Sequence, residues 1–389
     1  MTFYIKKITQ NKFYLLLGLI LILYSNTIFY GYIWDDFDLV ITTYDDIIKY
    51  TLESYLIRPV MFLSYFISNY FFNSPIFDHT INLILYIFLV KLLYDFGKKY
   101  HKENVSFLIL LVWICLPWMG HIVIWISQRN DTLMMIFSLL AIKADRDQRT
   151  LKSIAYLFLG IFSKITCFLL PLYMIFINKK NKLKVLVYSL IQLVFIIIGA
   201  LSYIRGGTKL KHLSELNVFE NIILKIFHVL EGLITQIIPL PYFFNFMHFT
   251  AYFILFIAAI YFMNFKLKRD LVSLKNLELI ILLFIFILPL AINSELRVST
   301  FSSYFLISLV FVGVISNRFS KIILSLYLLH NLTVTVLSKK NFYSGVDDLE
   351  IYYPASVNGF YNNNYYSSKR STLILLKKNL EEKVKDFFE

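Results

Sequence analysis

The sequence predicts an all-α polytopic membrane protein, a bundle of about 11 transmembrane helices with interfacial helices in its first long outer loop. Three observations predict it. Hydrophobic residues make up 58% of the 389 residues, and the mean hydropathy is +0.66. Only 16% of residues are charged, against about 25% in soluble domains. Apolar runs recur along most of the length, and the loops between them alternate between rich and poor in Lys and Arg.

Residues 1–337 are read as the transmembrane domain and 338–389 as a short extracytoplasmic tail. The first run, 13–33, lacks a small-residue cleavage site and is followed by further spans. It therefore reads as a span, not a cleaved signal peptide. A long outer loop, 34–78, follows it, containing the aromatic run RPVMFLSYFISNYFF. That run is too short to span comfortably and suits a helix lying in the interface.

Spans are then expected at 79–97, 105–120, 131–143, 151–162, 165–178 and 184–204. Those at 131–143, 151–162 and 165–178 fall short of the roughly 20 residues that cross hydrocarbon. They are either longer than drawn or packed inside the bundle. A second outer stretch, 205–248, contains NVFENIILKIFHVLEGLITQIIPLPYFF, which reads as an interfacial helix or as one more span. The last spans are placed at 249–265, 276–293, 300–316 and 319–337. In the tail, NGFYNNNYYSSKR is polar, and Leu373, Leu376, Leu380, Val384 and Phe387 recur at helical spacing. A small outer helix is expected there.

Orientation follows from the cations. Lys6, Lys7 and Lys12 precede the first span. Further groups lie at Lys98–Lys102, Lys143–Lys152, Lys179–Lys184, Lys266–Lys275 and Arg318–Lys321, all on one side of the membrane if the spans are as drawn. The positive-inside rule makes that side cytoplasmic. The loop 34–78 and the tail are then outside. If 205–248 held a span, Lys266–Lys275 would be outside too, against the rule.

The net charge of +13 is accounted for by these loops, so nucleic acid is not an expected partner. Gly206-Gly207 is a loop pair and not a phosphate cradle, and glycine motifs for nucleotides are absent. Cys115 and Cys167 both lie in apolar runs and read as core thiols. Trp34, Trp113, Trp118 and Trp125 are expected in the aromatic belts at the membrane surfaces. Abundant Ile, Phe, Tyr, Lys and Asn hint at a bacterial source.

The most informative polar feature is a cluster of carboxylates directly after the first span: Asp35, Asp36, Asp38, Asp45, Asp46 and Glu53. Acids at a membrane boundary are costly to keep dry. Asp35-Asp36 follows Trp34 at a helix mouth, where low dielectric raises basicity. A loop acid serves as general base, metal ligand or solvated spacer, and Asp45-Asp46 is a second pair that competes for the assignment.

Asp35-Asp36 after the first span, Arg58-Pro59 in RPVMFLSYFISNY, and His79 and Asn82 in DHTINLILY resemble the GT-C superfamily of lipid-dependent glycosyltransferases. The closest likeness is to protein O-mannosyltransferases and their relatives that carry tetratricopeptide repeats. PWMGHIVIWISQRNDTLMMIF is similar to a family stretch that carries Pro, His, Trp, Arg and Asp in that order. FSKITCFLLPLYMIF and NSELRVSTFSSY are similar to later family motifs, so the likeness covers roughly residues 13–320. Three departures stand out. Ile165 replaces the Glu that follows Ser-Lys in the family, Leu296 separates Glu295 from Arg297, and no tetratricopeptide repeats follow.

The resemblance implies a GT-C-like bundle whose sugar donor is a polyprenyl-phosphate lipid. It implies an acceptor hydroxyl on a protein, a glycolipid or a glycan, and an active site on the extracytoplasmic face of the bacterial plasma membrane. Asp35 or Asp36 is expected to be the general base of an inverting single displacement. Phosphate and substrate contacts are expected from Arg58, His79, His121, Arg129, Lys164, Glu295 and Arg297, with Arg205 a further outer cation. Fixed cations at the leaving phosphate stabilise the transition state more than the ground state. Arg129 and Arg297 rank highest because both sit in motif-like contexts. No cofactor is required, although the oxygens of Asp35 and Asp36 suit Mg²⁺ or Mn²⁺. The rival readings are a lipid-linked polysaccharide polymerase or ligase, and a non-catalytic flippase or transporter of lipid-linked sugars.

Overall fold

A computed structural model describes residues 12–29, 43–53, 58–72, 74–116, 119–205 and 274–293, together with Tyr304, Phe305, Ile307, Ser308 and Leu328. The described residues are helical or lie in turns between helices, and no strand occurs among them. The expected spans at 249–265, 300–316 and 319–337, the outer stretch 205–248 and the tail fall wholly or almost wholly outside them.

Helix α1, Lys12–Tyr24, continues as a 3-10 turn, Ser25–Phe29. Its sequence is apolar all round, and Leu16, Ile20, Leu23 and Tyr24 face inward while Tyr14, Leu15 and Ile22 remain exposed. In the first outer loop lie α2, Tyr44–Glu53, and α3, Pro59–Phe71. Pro59 suits the start of α3 because its missing N–H would be unsatisfied there in any residue. Helix α3 is apolar on both sides. Met61, Phe62 and Tyr65 pack inward, and Leu63, Ile67 and Tyr70 point out.

The centre of the molecule is α4, Pro75–Tyr100, again opened by a proline. It is flanked by α1, by α5 (Glu103–Ile114), by the short α6 (Met119–Ile124) and by α7 (Arg129–Arg146). Helix α7 forms its most extensive contact with α8, Thr150–Ser163. After a 3-10 turn at Ile165–Cys167 come α9 (Leu170–Ile177) and α10 (Lys182–Arg205), and later α11 (Leu274–Asn293), which packs on α9.

Two of these segments, Lys12–Phe29 and Pro75–Tyr100, are long and apolar enough to cross a membrane. The expected span 131–143 proves to be the inner part of an interior helix: most of α7 is buried, including Ser138, Ala141 and Asp145. The span expected at 105–120 is split. Helix α5 ends at Ile114, just before Pro117, whose ring disfavours helix in the residue preceding it. The outer face of α10 is an apolar stripe of exposed Leu186, Leu190, Leu193 and Ile197, while Tyr188, Gln192 and Phe195 turn inward. Such a stripe has no reason to face water.

The core is aromatic. Tyr24 meets Tyr86 edge-on at 5.6 Å, Tyr86 stacks on Trp113 at 5.9 Å, and Trp113 meets Tyr304 edge-on at 6.2 Å. Tyr24 donates to the Ile114 carbonyl at 2.9 Å, and Tyr304 to that of Leu93 at 3.0 Å. Trp113 is therefore a core residue and not part of an aromatic belt, because its ring fills the junction of α4, α5 and Tyr304. Trp125 is also buried. Gly97 permits this junction: a Cβ there would lie 2.7 Å from the Tyr304 hydroxyl and would also collide with Ser106.

Candidate functional site

Helices α4 and α7 run parallel, so the first turns of α4 meet the first turn of α7. Asp78 and Asn82, four residues apart on α4, share one helix face. Arg129 opens α7 and is fully buried. Its Nε donates to Asn82 Oδ1 at 2.8 Å. One terminal nitrogen donates to Asp78 Oδ1 at 2.7 Å and to the Asp78 carbonyl at 3.1 Å. The other donates to the Ser64 carbonyl and to Ser68 Oγ, both at 3.2 Å. The guanidinium lies 4.9 Å from the Tyr65 ring centroid. Tyr65 in turn donates to the Ile126 carbonyl at 3.0 Å.

All five N–H donors of Arg129 are thereby engaged within α3 and α4. Its fork ties helix α3 to α4.

Two residues further along α7, Asp131 accepts from Lys164 Nζ at 2.6 Å, and both side chains are buried. Lys164 sits in extended backbone where α8 ends and the 3-10 turn begins. Arg58 is buried at the position just before α3, and His79 is fully buried beside Asp78. His121 falls within α6. Residues from three motif-like segments, at 64–68, 78–82 and 129, thus meet in one buried polar cluster, and Asp131 with Lys164 forms a second buried pair beginning two residues further along α7. Asp35, Asp36, Glu295 and Arg297 lie outside the described residues, and Arg205 closes α10.

The second acidic pair has a structural role. Thr43 Oγ1 accepts from the Asp46 N–H at 3.2 Å, and Asp46 Oδ2 accepts from the Thr43 N–H at 3.1 Å and from its hydroxyl at 2.7 Å. This reciprocal pattern is a capping box for α2. Among the described residues no group of three His, Cys, Asp or Glu is placed to hold a metal ion.

Sequence reasoning missed Asp78 and Asp131 as partners. The available signal was an acid inside each quoted motif, within an otherwise apolar helix, where burial demands a counter-ion. It also missed a second polar layer at the opposite ends of α4 and α7. Asp145 accepts from Lys184 Nζ and from Tyr188 at 2.8 and 2.7 Å, and from Asn178 at 2.7 Å. Arg146 pairs with Glu278 at 2.8 Å. Tyr100 and Tyr173 also donate to Glu278, at 2.7 and 3.3 Å, and Arg146 donates to both phenols. Burial works to lower the Arg146 pKa, but Tyr173, Tyr100 and Glu278 together hold it above its ordinary value. The charge pattern places Lys184 and Arg146 among the loop cations that set orientation. They are instead interior partners that lock α7 to α9, α10 and α11.

Comparison with protein-family models, with curated proteins and with solved structures returns no match.

Proposed function

We propose that this chain is an integral-membrane glycosyltransferase with a GT-C-like bundle of about 11 spans. It takes a sugar from a polyprenyl-phosphate donor on the extracytoplasmic face of a bacterial plasma membrane. The acceptor is a hydroxyl of a protein, a glycolipid or a glycan. One observation carries the reading: segments resembling glycosyltransferase motifs, far apart in sequence, supply two buried ion pairs, Arg129–Asp78 and Lys164–Asp131, from the start of α7.

In the proposed reaction, Asp35 or Asp36 takes the proton of the acceptor hydroxyl. The acceptor oxygen forms a bond to the anomeric carbon as the bond from that carbon to the phosphate oxygen breaks. The bonding pair leaves on the phosphate, and the anomeric centre inverts. Growing phosphate charge favours fixed cations. Arg58, Lys164 and Arg297 are assigned that role, with His79, His121 and Glu295 assigned to sugar and acceptor. Lys164 spends one N–H on Asp131 among the described residues. Arg129 acts one step away, as the residue that positions α3 against α4. The displacement needs no cofactor. Asp35 and Asp36 are where Mg²⁺ or Mn²⁺ would be held, and assay with and without EDTA decides whether such an ion contributes.

The test is transfer from a panel of radiolabelled polyprenyl-phosphate monosaccharides, using membranes that carry wild type, Asp35→Asn or Asp36→Asn protein. Label entering an acceptor with wild type and falling at least a hundredfold in one variant is the expected result, given the usual contribution of a general base of about 10²–10⁴. Full activity in both single variants would remove the assignment of the base. Absence of transfer from every donor by inserted, folded wild type would overturn the transferase reading.

A further inference from the structure

At the far end of the α4–α7 pair the two helices do not close completely. A shallow cleft of about 50 Å³ runs between them. Its walls are apolar, formed by Leu92 and Phe96 of α4 and Leu139 and Ile142 of α7. At its mouth stand Lys99 and Lys143, one from each helix, both exposed. The acids nearby are Asp95, which lines the cleft, and Asp147. Asp95 is bridged by Lys91 at 2.8 Å and Lys98 at 3.1 Å. The nearby Arg146 is held by Glu278. Among the described residues neither Lys99 nor Lys143 has a carboxylate within ion-pair distance.

We propose that this cleft is a binding site for an anionic phospholipid, with the lipid phosphate between Lys99 and Lys143. The first methylenes of its chains would lie against Leu92, Phe96, Leu139 and Ile142. Charge complementarity selects the occupant. Two lysines on separate helices line one cleft whose other walls are mostly apolar. A zwitterionic lipid would bring its own cation to that cleft. The cleft is too small for a buried headgroup, so the phosphate stays at the rim and only methylenes enter. Basic pockets between helices on the cytoplasmic side are the usual form of such sites. The proposal rests on α4 spanning the bilayer with this end cytoplasmic. It does not rest on glycosyl transfer, so it stands or falls separately from that activity.

The test is native mass spectrometry of the full chain in detergent, titrated with phosphatidylglycerol, phosphatidylcholine or inorganic phosphate. The proteins compared are wild type, Lys99→Gln/Lys143→Gln, and a control, Lys179→Gln/Lys180→Gln, which removes two exposed lysines just beyond the end of α9. Phosphatidylglycerol should be retained by wild type and by the control. It should bind about thirtyfold more weakly to Lys99→Gln/Lys143→Gln, the loss expected for two lysine contacts with an anionic lipid. Phosphatidylcholine should not compete, and inorganic phosphate alone should not be retained. Equal retention by all three proteins, an equal loss in the control, or equal competition by phosphatidylcholine would each overturn the proposal.

Discussion

Arg129 shows what a charge inside the bundle demands of its neighbours. Its guanidinium is fully buried, and a buried charge survives only when paired and fully hydrogen-bonded. Asp78 supplies the charge, and Asn82, Ser64 and Ser68 supply the remaining acceptors. Removing one partner leaves the other as an uncompensated buried ion. Arg129→Ala should therefore destabilise the protein by about 3–5 kcal/mol. Arg129→Lys, with three donors on a flexible stem, should recover only part of that loss. Heating the purified variants in detergent and following folded protein by size-exclusion fluorescence measures both. A wild-type melting profile for Arg129→Ala would show that the layer does not hold α3 in place. The importance of Arg129 and Asn82 was legible in the sequence, because charged and amide groups in apolar helices demand explanation. Their mutual contact was not, since residue type and neighbourhood do not reveal which way a side chain faces. The spacing of Asp78 and Asn82, one helical turn apart, was the readable hint.

At the level of elements, hydropathy located most helices within a few residues and missed the chemistry of their ends. Helix α7 closes in a turn that the composition hides. The Arg149 N–H donates to the Ala144 carbonyl at 2.8 Å and the Gln148 N–H to that of Asp145 at 2.9 Å. Gln148 adopts φ 60°. This is a Schellman closure with glutamine where glycine is preferred. A left-handed conformation costs an L-residue roughly 1–2 kcal/mol, and glycine gives back part of that through its unfolded-state entropy. Gln148→Gly should thus stabilise the protein by about 0.5–1 kcal/mol, read as a higher melting temperature; a lower one would contradict the account. The opposite sign is expected at Gly97, where alanine would push against the Tyr304 hydroxyl and Ser106. Tight packing of this kind makes overpacking cost about 1–3 kcal/mol, so Gly97→Ala should melt lower. Neither turn nor contact could be read from hydrophobic periodicity, which reports a residue's burial and not its backbone angle or its partner from a distant helix.

The described part of the molecule is organised by the parallel pairing of α4 and α7, which places one charged layer at each end. Asp78 and Tyr100 are separated by about 33 Å along α4 at 1.5 Å per residue, close to the roughly 30 Å thickness of a bilayer's hydrocarbon core. The Arg129–Asp78 layer and the Arg146–Glu278 layer thus sit where the two membrane faces would fall, with the aromatic core between them. This arrangement makes sidedness testable without a functional assay. Cys115 and Cys167 are both buried, so background labelling by a membrane-impermeant maleimide should be low. Ile76, near the start of α4, and Lys102, just past its end, are both exposed. In intact cells Ile76→Cys should be labelled, and Lys102→Cys should be labelled only after the membrane is opened. Labelling of both from the outside would mean that α4 does not span. The reverse pattern would turn the cationic loops outward, moving the Arg129 layer and the proposed transfer site to the cytoplasmic face and separating the proposed lipid cleft from the anionic inner leaflet that gives it purpose.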